Sequence, residues 1–237
     1  MDLARHLRIT PQALHRHLNA LIKEGLIEKR GRPPVTRYSL ADAPDFGRAK
    51  SWFLSLRSPR PADEVCETRD VFSGRLSRLR TRSREGVGPN ELSLIIAISG
   101  EIGNNSFDHN LGQWRDVPGC WFEHQIRRGI LWILIADRGQ GIWRSLTSVA
   151  PEIGSDQEEL DQAFSVRITG RAPEKRGNGL KYVKQVINGG PGRGLACRSG
   201  AGLLSFGEMR LDCEQVMGKR SGKMVGTITL CAWRIGL

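Results

Sequence analysis

Ile130-Leu131-Trp132-Ile133-Leu134-Ile135-Ala136-Asp137-Arg138-Gly139-Gln140-Gly141-Ile142 is the stretch from which the rest of the chain can be read. An unbroken apolar run of this length marks a buried strand, because a strand with one wet face alternates apolar and polar side chains. The run delivers Asp137 at its end, in a D-x-G-x-G turn that sets a carboxylate beside permissive glycine backbone.

Reading toward the N-terminus, Leu92, Leu94, Ile95, Ile96 and Ile98 lead an apolar helical stretch into Ser99-Gly100-Glu101-Ile102-Gly103-Asn104-Asn105-Ser106-Phe107-Asp108-His109. Glu101, Asn105 and His109 fall at i, i+4 and i+8, which lines a carboxylate, an amide and an imidazole along one helix face. Two glycines inside a helix cost about 1 kcal/mol each relative to alanine, so close approach by backbone or ligand is expected there. Reading toward the C-terminus, a polar and acidic segment separates the turn from Arg176-Gly177-Asn178-Gly179-Leu180, which opens the helical pattern Leu180, Val183, Lys184, Val186, Ile187. A helix start of this kind offers free N–H groups and a positive dipole end to phosphate oxygens. Each glycine motif is weak singly. A G-x-x-x-x-G-K-[ST] loop is missing, and neither Gly139-Gln140-Gly141 nor Gly192-Arg193-Gly194 completes G-x-G-x-x-G.

In this order and spacing the boxes resemble the GHKL nucleotide-binding fold shared by DNA gyrase, the heat-shock chaperone ATPase, sensor histidine kinases and the mismatch-repair ATPase. The resemblance spans residues 91–237 and implies a two-layer α/β sandwich. Glu101 and Asn105 match the E-x-x-x-N helix, Asp137, Gly139 and Gly141 the D-x-G-x-G turn, and Gly177, Gly179 and Leu180 the third box. Thr227, within Val225-Gly226-Thr227-Ile228-Thr229-Leu230, matches the threonine of the family's late strand. The resemblance implies ATP and Mg²⁺ as cofactors. Asp137 would accept the adenine amino group with support from Thr227, and Gly141 would let the base lie on the backbone. Asn105 would supply an amide oxygen to Mg²⁺, and Glu101 would orient or deprotonate the nucleophile as the catalytic residue. Residues 143–176 would form a lid, with Thr169, Arg171, Lys175 and Arg176 nearest the phosphates. Two departures stand out: Asp108 occupies a position often basic in this fold, and the third box lacks the further glycine common in sensor kinases.

The other end of the chain has a different character. Thr10-Pro11 reads as an N-cap followed by proline at the first helical position, and Leu14, Leu18, Leu21 and Ile22 recur at helical spacing up to Gly25. Leu3-Ala4-Arg5-His6-Leu7 is a helical turn before it. Leu26-Ile27-Glu28-Lys29 and Val35-Thr36-Arg37-Tyr38-Ser39-Leu40 read as strands around the turn Arg30-Gly31-Arg32-Pro33-Pro34. This string resembles the winged helix-turn-helix of prokaryotic transcription regulators, with the chain starting almost inside the second helix of such a domain. The resemblance implies Gln12, His15, Arg16 and Asn19 in a DNA groove and Arg30, Arg32 and Arg37 on phosphates. A winged helix used only for protein contacts is the plainer alternative.

The organisation expected is therefore α+β overall: a winged helix-turn-helix over residues 1–42, a linker with a basic helix over 43–90, and the ATP-binding domain over 91–237. The charge agrees with a polyanion partner at one end. Of the net +11 over 237 residues, most of the surplus lies in the first 90. The run Arg75-Leu76-Ser77-Arg78-Leu79-Arg80-Thr81-Arg82-Ser83-Arg84 adds to it, although a solvated helix face explains such a run as well. No apolar run approaches the ~18 residues of a membrane span. The N-terminus lacks a signal-peptide pattern, and five scattered cysteines carry no C-x-x-C pair. A cytoplasmic protein with reduced thiols and no membrane association is the expectation.

Function follows from what the chain lacks as well as what it holds. No histidine lies between His17 and His109, so residues 41–90 offer no phosphoacceptor for a sensor histidine kinase. The reading carried forward is an ATP-binding regulator that couples a GHKL domain to DNA in transcription control. The alternative is a serine/threonine kinase resembling the anti-sigma kinases, acting in trans on a protein phosphoacceptor. Homodimerisation is left open.

Overall fold

The computed structural model describes residues 3–23, 27–31, 33, 36–40, 43–56, 62–82, 86–108, 110, 112–142, 155–165, 178–218 and 224–236. The chain divides into two compact units, residues 1–43 and 44–237.

The first unit holds α1 (Leu3–Leu7), α2 (Pro11–Lys23) and an antiparallel hairpin of β1 (Ile27–Arg30) and β2 (Arg37–Leu40). Thr10 caps α2 as its sequence predicts: its hydroxyl accepts from the Ala13 N–H at 3.2 Å. Leu14, Leu18, Leu21 and Ile22 make the half-buried face of α2, which packs on α1 and β1.

The second unit is built on one six-stranded sheet. Its strands are β3 (Val65–Cys66), β4 (Cys120–Arg127), β5 (Ile130–Asp137), β6 (Arg193–Ser199), β7 (Gly202–Gly207) and β8 (Thr227–Arg234). Their order is β3-β4-β5-β8-β6-β7, and every neighbouring pair runs antiparallel. The helices are α3 (Gly47–Leu54), α4 (Arg69–Arg82), α5 (Pro89–Asp108), α6 (Asp156–Ala163), α7 (Gly179–Asn188) and α8 (Arg210–Met217).

Two expectations are corrected here. The sandwich has three layers, not two. Leu131, Ile133 and Ile135 of β5 face a core shared with α4, α5, α6 and α7, while Trp132, Leu134 and Ala136 face a second core shared with α3 and α8. The unbroken apolar run of β5 is the sequence mark of a strand covered on both faces. The second correction concerns residues 43–90, expected as a linker. Phe46, Ala49, Trp52 and Phe53 of this segment are buried under the second face, and Phe72, Leu76 and Leu79 of α4 are buried under the first. Burying the phenylalanine and leucine side chains among them stabilises by about 1.5–3 kcal/mol each, which favours folding the segment onto the sheet. The close approach foreseen at the helix glycines is between helices, not to a ligand: a Cβ on Gly103 would fall 2.1 Å from Phe72 Cζ.

Candidate functional site

One row of residues crosses the whole sheet at a single end. Reading across β3, β4, β5, β8, β6 and β7, Cys66, Cys120, Asp137, Thr227, Ser199 and Gly202 are consecutive register partners. Because side chains alternate along strands, residues in one row project to the same face. Asp137 sits mid-row and is only 5% exposed.

The Asp137 carboxylate is held by named donors. Oδ1 accepts from the Gly139 N–H at 2.9 Å and from Asn110 Nδ2 at 3.1 Å, and Oδ2 accepts from Ser106 Oγ at 3.3 Å. The Thr227 backbone supports it from β8. Burial still outweighs these donors and pushes its pKa from 3.8 up to about 6. At neutral pH the group is mainly ionised, a buried acceptor whose charge is dispersed over hydrogen bonds.

Around this carboxylate the turn closes tightly. Gly141 has φ +80°, a conformation in which a side chain is strained, and the following Ile142 N–H donates to Ser199 Oγ at 2.8 Å. Thr227 Oγ1 donates to the same Ser199 oxygen at 3.4 Å. Ser199 therefore joins β6, β8 and the turn.

Helix α5 crosses this end of the sheet and brings two faces to bear. Ser106 points at Asp137, while Glu101 reaches the N-terminus of α7, where a Cβ on Gly179 would fall 2.1 Å from Glu101 Oε2. A carboxylate at a helix N-terminus is favourable by about 0.3–1 kcal/mol. Asn105 is half-buried on α5 one turn beyond Glu101, and Leu180 packs against the main core. Asp108 forms an ion pair with Arg69 of α4, so its charge is balanced from within the fold.

Of the expected site residues, Asp137 and Thr227 are register partners, with Gly139 and Gly141 in the turn that follows Asp137, Glu101 and Asn105 lie on α5, and Gly179 and Leu180 open α7 against Glu101. Thr169, Arg171, Lys175 and Gly177 lie outside the described residues, as do Arg176 and His109. Ser106, Asn110 and Ser199 were missed. Ser106 and Asn110 each follow a motif position, Asn105 and His109, by one residue, so the motif's own spacing does not pick them out, and Ser199 is identified only by strand register.

In the first unit, Gln12, His15, Arg16 and Asn19 are all exposed on α2. Arg30 and Arg37 are register partners at the turn end of the hairpin, and Arg32 lies outside the described residues.

Residues 1–29 match the helix-turn-helix family described as bacterial regulatory protein, arsR family. The match takes in α1, α2 and the first residues of β1, and it suggests a DNA-binding transcription regulator. No curated protein matches the chain. Among the described residues no helix is long and apolar enough to cross a membrane.

Proposed function

We propose that residues 44–237 are a GHKL-type ATP-binding domain and that the chain is a regulator in which bound ATP alters how residues 1–43 engage DNA. What carries this reading is convergence. Three motifs far apart in sequence, Glu101 to Ser106, Asp137 to Gly141 and Gly179, adjoin one end of one sheet through the Ser106 to Asp137 and Glu101 to Gly179 approaches.

The side chains present fit Mg·ATP. Asp137 is a buried, ionised acceptor suited to the amino group of adenine, and the free N–H groups of α7 suit phosphate oxygens. Asn105 would hold Mg²⁺ through its amide oxygen, a ligand type that a hard cation accepts. When bound, Mg·ATP supplies an activated phosphoryl group. Glu101, at the α7 N-terminus, would take the proton of an attacking water or hydroxyl. Thr227 and Ser199 hold the turn that carries Asp137.

Phosphate release from Mg·ATP by the wild type, run beside Glu101→Ala with ATP binding measured on both, tests the proposal. Release in the wild type only, with affinity kept in the variant, is the expected result. Binding without release in either would make the domain a nucleotide sensor or a kinase that needs its acceptor. No binding in the wild type would overturn the proposal.

A further inference from the structure

The two oxygens of Asp137 are not equivalent. Oδ1 receives both Asn110 Nδ2 and the Gly139 N–H, which fills its two lone pairs. Oδ2 receives the Ser106 hydroxyl at 3.3 Å, longer than the 2.5–3.0 Å of a good O–H···O bond and free to rotate away. An N–H arriving from a ligand can take over Oδ2 far more readily than Oδ1.

Asn110 enforces this asymmetry because its own amide is locked. The residue is 3% exposed, its Nδ2 donates to the Ser106 carbonyl at 3.1 Å as well as to Asp137, and its Oδ1 accepts from the Gln140 N–H at 3.1 Å. Turning the amide over would set its oxygen against a carboxylate and a carbonyl. Gly139 is packed to admit it: a Cβ there would fall 2.0 Å from Asn110 Cγ.

We infer that Asn110 is a specificity-determining residue of this site: by occupying Asp137 Oδ1 it fixes the carboxylate and presents Oδ2 to the exocyclic amino group of a purine. The inference rests on the reading of the second unit as an ATP-binding domain. A purine without that amino group brings Oδ2 no donor beyond those the protein itself supplies, Ser106 and the Thr227 backbone included, and one with a carbonyl there meets a like-signed oxygen. Asn110 is thus a positioning residue acting through Asp137, and its loss should lower discrimination between nucleotides more than it lowers affinity for nucleotides in general.

The test is calorimetric titration of the full chain with Mg·ATP and with Mg·purine riboside triphosphate, which lacks the 6-amino group. The wild type should favour ATP by roughly tenfold or more, the value of a hydrogen bond to a charged group. Asn110→Ala should lose most of that ratio while its affinity for purine riboside triphosphate stays within about threefold of the wild type. Asn110→Ser keeps a donor on a smaller side chain, so it covers a folding failure of the alanine variant; its ratio should also fall, by less. Equal weakening of both nucleotides, with the ratio unchanged, would overturn the role of Asn110 and leave the ATP reading standing. If the wild type binds neither nucleotide, the ATP reading fails and this inference fails with it.

Discussion

Arg138 and Asp116 form a two-pronged ion pair, with Arg138 Nε and Nη2 each 2.7 Å from a different oxygen of the Asp116 carboxylate. Arg138 is the residue between Asp137 and Gly139, and its guanidinium is buried to 1% exposure. Its remaining N–H groups donate to the carbonyls of Trp52, Phe53 and Ser55, so the C-terminal carbonyls of α3 are satisfied by the turn that carries Asp137. Five donors meet five acceptors, which is why a charge can be held there.

Arg138→Met should therefore cost about 3–5 kcal/mol, since it strands Asp116 and uncaps α3. Denaturant unfolding read by tryptophan fluorescence checks this, because Trp52 lies against the guanidinium. A loss under about 1 kcal/mol would contradict the structural role. The Arg138 guanidinium also holds the Asp116 carboxyl below 3.8, so the contribution of the pair is intact at neutral pH and is lost only as the pH falls through that lowered value.

Asp137 predicts the opposite sign. Its folded pKa of about 6 lies above 3.8, so the folded state binds the proton more tightly and stability from this group rises as pH falls from about 6 toward 3.8. Asp137→Asn removes the buried charge. It should stabilise the ligand-free protein at pH 7 relative to the wild type, with the advantage shrinking by on the order of 3 kcal/mol at pH 4. Paired thermal melts across this range read the difference directly.

Gly179→Ala separates the position of Glu101 from the stability of the fold. The new Cβ would displace the Glu101 carboxylate, a flexible side chain that can swing away, while alanine suits helical backbone better than glycine. The melting temperature should hold or rise. Phosphate release should fall, and ATP affinity should fall less than turnover. A variant with wild-type turnover would mean that Glu101 does not act from the α7 N-terminus.

Much of this arrangement was legible before any coordinates. The helical spacing of Glu101 and Asn105, the strand ending at Asp137 and the helix opening at Gly179 are local patterns, and local patterns survive in sequence. The helix of residues 47–54 was not read, because Pro44, Pro59 and Pro61 bracket it and its apolar residues make sense only once β5 is seen to need cover on both faces. Asn110 was invisible for a different reason: its partner Asp137 is 27 residues away, and only the crossing of α5 over the sheet end brings them together. The aspartate at position 108 stands where this fold often carries a basic residue, and its partner Arg69 lies 39 residues earlier, out of reach of any local pattern.

For the first unit, Arg16→Ala should weaken DNA binding and reduce the slope of affinity against salt, as expected when a cationic contact to DNA is lost. Fluorescence anisotropy over a salt series measures both. Binding that does not depend on salt would point to a protein-contact role for α2.

The most direct test of the central claim is isothermal titration of Mg·ATP into the full chain and into Asp137→Asn. Saturable binding to the wild type is expected, with a loss of at least about tenfold in the variant, which keeps its fold but presents an amide where the acceptor stood. Equal affinity in the two proteins, or no heat from the wild type, would contradict it.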